Sequence, residues 1–122
     1  MVSTLSTPGK ILVEPLHFNL VMNVPGSIKG TPRNLMYMVE SLPAGSTWTV
    51  SGIGKSQVQM LTMGMLLGGH VRTGLEDVLE YTPGVMATNR MLVERVVRLA
   101  KELGREIATP SEARAILGMK QR

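Results

Sequence analysis

The chain has 122 residues, a formal net charge of +4, 43% hydrophobic and 18% charged residues, and no cysteine. That length supports one modest domain with its own core, and that balance of apolar and charged residues excludes a disordered chain. The lack of cysteine excludes a disulfide framework and thiolate chemistry. It fits a reducing compartment, and the cytoplasm is the expected location.

Aromatic residues are scarce, with one Trp, two Tyr and one Phe, so the ten Met residues take over part of the core-filling role. The sequence pI is near 9.9. The basic residues are spread along the chain, without the dense basic face and interleaved aromatics of a nucleic-acid binder, so no nucleic-acid partner is expected. No basic segment followed by an apolar core opens the chain, and no signal peptide is read. The longest apolar run, Met60 to Leu67, is too short for a bilayer, which needs about 20 residues. No membrane partner is expected.

Residues 1–10 are small and polar, with Pro8 and Gly9, and read as a loose leader; residues 11–122 read as one domain segment. Leu16 to Val24 reads as a strand whose near-continuous apolar character suits burial on both faces of a parallel sheet. Thr31-Pro32 opens a helix carrying Leu35, Met36, Val39 and Leu42 on one face, and Pro43 stops it. Thr47 to Ser51 is a second strand, rich in β-formers. Gly52-Ile53-Gly54 turns tightly, and Ser56 is expected to cap an apolar helix that closes at Gly68-Gly69. His70 to Thr73 is a third strand. A loop runs on through Glu76, Asp77 and Tyr81-Thr82-Pro83-Gly84. Thr88 or Asn89 starts the longest helix, with Leu92, Val93, Val96, Val97, Ala100 and Leu103 inward. Thr109-Pro110-Ser111-Glu112 forms a capping box for a last helix ending at Gly118. The β-α alternation predicts a parallel sheet. Three strands leave both sheet edges open, and a (β/α)₈ barrel takes about 250 residues, so the chain reads as a partial TIM barrel of about three βα units.

Three groups of residues bear chemistry. Gly52-Ile53-Gly54-Lys55-Ser56 fails the Walker pattern, because Thr49 stands where its first glycine belongs. A glycine turn into a helix N-terminus with Lys55 beside it still suits an anion; an ordinary tight βα turn explains it equally. His17 and His70 lack ligand spacing, and packed, hydrogen-bonded roles are expected of them. Arg72, Glu76 and Asp77 gather where the third strand ends, which is where ligands bind in α/β folds. A structural salt bridge is the alternative. One carboxylate could ligate a metal while its neighbour acts as a base, since a metal-bound carboxylate is a poor base.

The segments LHFNLVMNVPGSI, TWTVSGIG and GHVRTGLED, with the tail LVERVVRLAKELGREIATPSEAR, resemble the β-keto acid cleavage enzymes, the group that contains 3-keto-5-aminohexanoate cleavage enzyme. The resemblance covers roughly residues 11 to 118. It implies the C-terminal part of a zinc-dependent TIM barrel that converts a β-keto acid and acetyl-CoA into acetoacetate and a new acyl-CoA by a retro-Claisen type of cleavage. It further implies Glu76 as a Zn²⁺ ligand, Asp77 as general base and Arg72 as its support. Gly52, Gly54 and Lys55 then fall where an anionic part of substrate or CoA is expected to approach. Val78 stands where the family often has Asn. The family's His-x-His zinc pair, on an early strand, is absent. The chain alone is therefore expected to be inactive, and to need the missing N-terminal part or a homo-oligomer. Two alternatives stand beside this reading. One is a non-catalytic half-barrel that assembles with itself or a partner, and the other an anion- or phosphate-binding module built on Gly52 to Ser56.

Overall fold

The structure is a computed structural model, described here over residues 16–119. The leader expected at residues 1–10 lies outside the described residues. The first strand, β1 (His17–Met22), is followed by helix α1 (Pro32–Glu40), strand β2 (Thr47–Gly52), a 3₁₀ turn (Gly54–Ser56) and helix α2 (Gln57–Leu66). Strand β3 (His70–Val71), a hairpin of β4 (Glu80–Thr82) and β5 (Val85–Met86), and helices α3 (Asn89–Glu102) and α4 (Pro110–Leu117) complete the order. The first three strands form one parallel sheet in the order β1-β2-β3. The mixed α/β class and the parallel sheet agree with the expectation from sequence. Among the described residues, no helix is long and apolar enough to cross a membrane.

Strand periodicity decides where the core lies. Side chains alternate between the two faces of a strand. In β1 and β2 the register sets Phe18 against Trp48 and Leu20 against Val50. Leu20, Met22, Trp48 and Val50 meet Leu35 of α1 and Met60 and Leu61 of α2 in the buried core, and half-buried Phe18 packs against it. The opposite face begins with His17 and Asn19, both exposed. Strand β1 is thus buried on one face at its start, against the expectation of burial on both. It also stops two residues early. Asn23 takes a left-handed φ of +72°, which asparagine tolerates better than most residues. Its side chain donates to the Ile53 carbonyl (3.2 Å) and accepts from the Gly30 amide (3.2 Å), tying the exit of β1 to the exit of β2.

Three of the helix starts follow the expected chemistry. Thr31 accepts from Asn34 N–H with Pro32 at the first position, Thr88 accepts from Met91 N–H, and Thr109 with Glu112 closes a full capping box. Ser56 differs, because its hydroxyl donates to the Ile53 carbonyl (3.0 Å) and does not cap α2. In α3, Leu92 and Ala100 are buried, but Val93 is 52% exposed and not inward as expected. The segment 80–86, read as loop, is a hairpin turning at Gly84, whose φ is +84°.

Helix α2 lies hard against β2. A Cβ on Gly64 would run into Val50 Cγ1, a stiff β-branched side chain of the central strand. Gly64→Ala gains about 1 kcal/mol of helix propensity. Overpacking a filled core costs about 1–3 kcal/mol, so the clash prevails. Urea unfolding is expected to show Gly64→Ala less stable than the parent, with most of that loss absent on a Val50→Ala background.

Candidate functional site

The site forms where β2 and β3 end. Strand β3 continues its ladder past Val71 through Arg72 N–H, which donates to the Val50 carbonyl (3.0 Å). The chain then turns at Gly74, whose carbonyl accepts from Asp77 N–H (3.1 Å) and Val78 N–H (3.3 Å). This turn sends the Asp77 side chain back toward the strand end. Arg72 meets it with a two-pronged contact, Nε to Oδ2 at 3.2 Å and Nη2 to Oδ1 at 2.6 Å. The Asp77 side chain is 1% exposed and that of Arg72 is 38% exposed. Such fork-to-carboxylate pairs fix geometry as well as charge. The hydrogen bond to Asp77 comes first among the causes that hold Arg72 above its already high pKa, and Glu76 adds a smaller attraction.

Glu76 points another way. It is exposed. Its carboxylate lies over Gly74, where an added Cβ would come within 2.6 Å of Oε2. The two adjacent acids are thus divided between an enclosed, paired position and an open one. Among the described residues, no group of three or more His, Cys, Asp or Glu side chains is arranged to hold a metal ion. One open carboxylate does not make a zinc site, so these residues alone do not fit the ion that the family resemblance implies.

The glycine turn is placed differently from a free anion cradle. Gly54 has φ +64°, and its N–H donates to the Asp77 carbonyl (2.7 Å). Gly52 packs against α2, with room for no Cβ between it and Gln57 Cα at 2.9 Å. Lys55 remains exposed beside them. Of the three residues, it is Lys55 that offers donors toward solvent.

Several polar residues escaped the reading of the sequence. Gln57, 2% exposed at the start of α2, accepts from Thr73 Oγ1 through its Oε1 (3.1 Å). Among the described residues, its Nε2 and the Oγ of fully buried Ser51 have no hydrogen-bond partner. The signal for Gln57 was an amide at the first position of a mostly apolar helix. Asn89 Oδ1 accepts from Leu75 N–H (3.1 Å), which ties the same exit loop to α3.

The histidines gather at the other end of the sheet. Their rings lie 6.3 Å apart between centroids. Thr49 pairs with His70 and Thr47 with His17, so β2 bridges them. His17 Nδ1 is 2.7 Å from Thr47 Oγ1, and Nε2 is 2.8 Å from Thr49 Oγ1. A neutral imidazole needs one donor and one acceptor, and two hydroxyls supply both. The hydrogen-bonded role expected for His17 is what is found, although its side chain is exposed and not packed in a core. Residues Ala113, Ile116 and Leu117 of α4 complete a cavity of ≈ 200 Å³ with these histidines.

An enclosed aspartate held by an arginine, beside an open glutamate at the strand exits of an α/β unit, does not by itself name an enzyme family. The family is decided by comparison. The chain matches the beta-keto acid cleavage enzyme model over residues 2–119, and it belongs to that family. It is 53% identical over 109 residues to the 3-keto-5-aminohexanoate cleavage enzyme of Fusobacterium nucleatum, covering 88% of this chain and 39% of that enzyme. The enzyme of the same name from Acetoanaerobium sticklandii is 54% identical over 106 residues, 86% of this chain and 39% of its own length. The 3-oxoadipate:acetyl-CoA acetyltransferase of Cupriavidus necator is 38% identical over 108 residues, 85% of this chain and 38% of its own. The chain spans about two fifths of the length of these curated relatives.

His17 gives this region a pH dependence. Partial withdrawal from water and, second, the charge of nearby His70 hold its pKa below the ordinary 6.5. The folded state therefore resists protonation more than the unfolded chain does. Its contribution is whole above pH 6.5 and falls away as pH drops from 6.5 toward the lower folded value. Urea unfolding at pH 7.5 and 5.5 is expected to show a smaller loss of stability in His17→Gln than in the parent. Equal losses would contradict this.

Proposed function

We propose that the chain is the C-terminal part of the TIM barrel of a zinc-dependent β-keto acid cleavage enzyme, which turns a β-keto acid and acetyl-CoA into acetoacetate and a new acyl-CoA. The observation that carries the reading is the enclosed Asp77 carboxylate, held by Arg72 beside the open Glu76, in a member of this family. Names of relatives supply the substrate class. They include 3-keto-5-aminohexanoate, 3-oxoadipate and acetyl-CoA.

In this reading Asp77 is the general base. The carbon between the ketone and the carboxylate of a β-keto acid bears its most acidic C–H, and Asp77 takes that proton. Arg72 fixes the orientation of the carboxylate and balances its charge, so that little rearrangement is needed when the proton arrives. Glu76, turned outward, would hold a zinc ion only together with ligands from the part of the longer protein outside this chain. The chemistry such an ion would supply there is Lewis-acid polarisation of the keto carbonyl. Lys55 stands near the path of an anionic part of substrate or CoA. The anion-module alternative loses ground, because the Gly54 N–H that it would use is taken by the Asp77 carbonyl.

A hybrid tests this. The matching segment of the F. nucleatum enzyme is replaced by this chain, and acetoacetate formation from 3-keto-5-aminohexanoate and acetyl-CoA is followed. The hybrid is expected to be active, and Asp77→Asn to lower kcat by roughly 10²–10⁴-fold, the usual worth of a positioned base. A folded hybrid whose Asp77→Asn form keeps full activity would sink the assignment.

A further inference from the structure

Two contacts pin the loop that carries Asp77, and both arise from one short turn. On the near side, Thr73 Oγ1 donates to Gln57 Oε1 (3.1 Å). On the far side, Gly54 N–H donates to the Asp77 carbonyl (2.7 Å). Residues 74–76 span the interval between them. Thr73 directly follows Arg72, so a tether on Thr73 sets where the arginine leaves the strand. A tether on Asp77 sets where the carboxylate begins. The separation of the two halves of the ion pair is thereby fixed from the segment 54–57.

Gln57 is an unusual residue for its place. It opens an apolar helix and is 2% exposed. Burying an amide whose hydrogen bonds are incomplete is costly, and among the described residues its Nε2 has no partner. It does not cap α2, for its oxygen faces Thr73. A leucine or methionine there would leave no unpaired amide nitrogen. The contact with Thr73 is the one hydrogen bond that its side chain makes among the described residues.

We infer that Gln57, acting through Thr73, is a positioning residue for the Arg72–Asp77 pair. The inference rests on the reading of Asp77 as the base, but its geometry can be tested without turnover. Water exchange of the Arg72 Nε–H is followed by NMR in the full chain, because that proton is held by Asp77 Oδ2. Arg90 Nε, paired with Glu94 at 2.7 Å on the exposed face of α3, serves as the internal control. Thr73→Val keeps the shape and removes the hydroxyl, Thr73→Ser restores it, and Gln57→Met removes the acceptor. Exchange at Arg72 is expected to rise about tenfold in Thr73→Val and in Gln57→Met, the size of one lost hydrogen bond. The double variant is expected to match the singles, Thr73→Ser to stay near the parent, and Arg90 to be unchanged throughout. If Gln57→Met fails to fold, Thr73→Val against Thr73→Ser decides alone. Parent-like exchange at Arg72 in Thr73→Val, equal exchange in the Val and Ser variants, or additive effects in the double variant would each overturn the inference. An active Asp77→Asn hybrid would instead overturn the reading of the base and leave these tethers standing.

Discussion

A carboxylate withdrawn from water needs a cation and hydrogen-bond donors close by, and the fork from Arg72 to Asp77 meets both needs in one contact. Much of the local structure is the cost of making that contact. Strand β3 must stop where Arg72 leaves it. The chain must turn at once, so that Asp77 returns within five residues. The Asp77 main chain must be held as well, and Gly54 does this from the neighbouring strand exit. A lysine at position 72 would keep the charge and lose the planar two-pronged fit.

The sheet and α2 make the turn available. Parallel pairing brings the exits of β1, β2 and β3 to one end. Small residues then let α2 settle deeply on β2, with Gly64 against Val50. That close approach places the start of α2, and so Gln57, against the exit of β3. Packing far from the charged groups thus reaches the site through position alone.

Much of this was legible in the sequence because the signals were local. Thr31-Pro32 and the Thr109–Glu112 box announce helix starts by their own hydrogen bonds. The run of β-formers at Thr47 to Ser51 announces β2, and Arg72, Glu76 and Asp77 stand within six positions of one another. What was missed depended on partners distant in sequence. Ser56 looks like a cap, yet the 3₁₀ turn before it gives its hydroxyl a nearer acceptor at Ile53. The end of β1 depends on Asn23 bonding across to Ile53 and Gly30, which no pattern within residues 16–24 reveals. His17 and His70 meet because β2 lies between them in a particular register, and parallel register cannot be read from spacing. The two acids at 76 and 77 could be named from sequence, but their opposite surroundings could not.

That division of surroundings is the centre of the account: the proposed function gives the open Glu76 to the metal and the enclosed Asp77 to the proton. The most direct measurement is anomalous diffraction at the zinc absorption edge from crystals of the hybrid enzyme grown with Zn²⁺. The account predicts a single zinc with a Glu76 carboxylate oxygen at about 2.0–2.2 Å and Asp77 still paired with Arg72 outside its coordination shell. A zinc ion bound by Asp77, or one with Glu76 outside its shell, would contradict it.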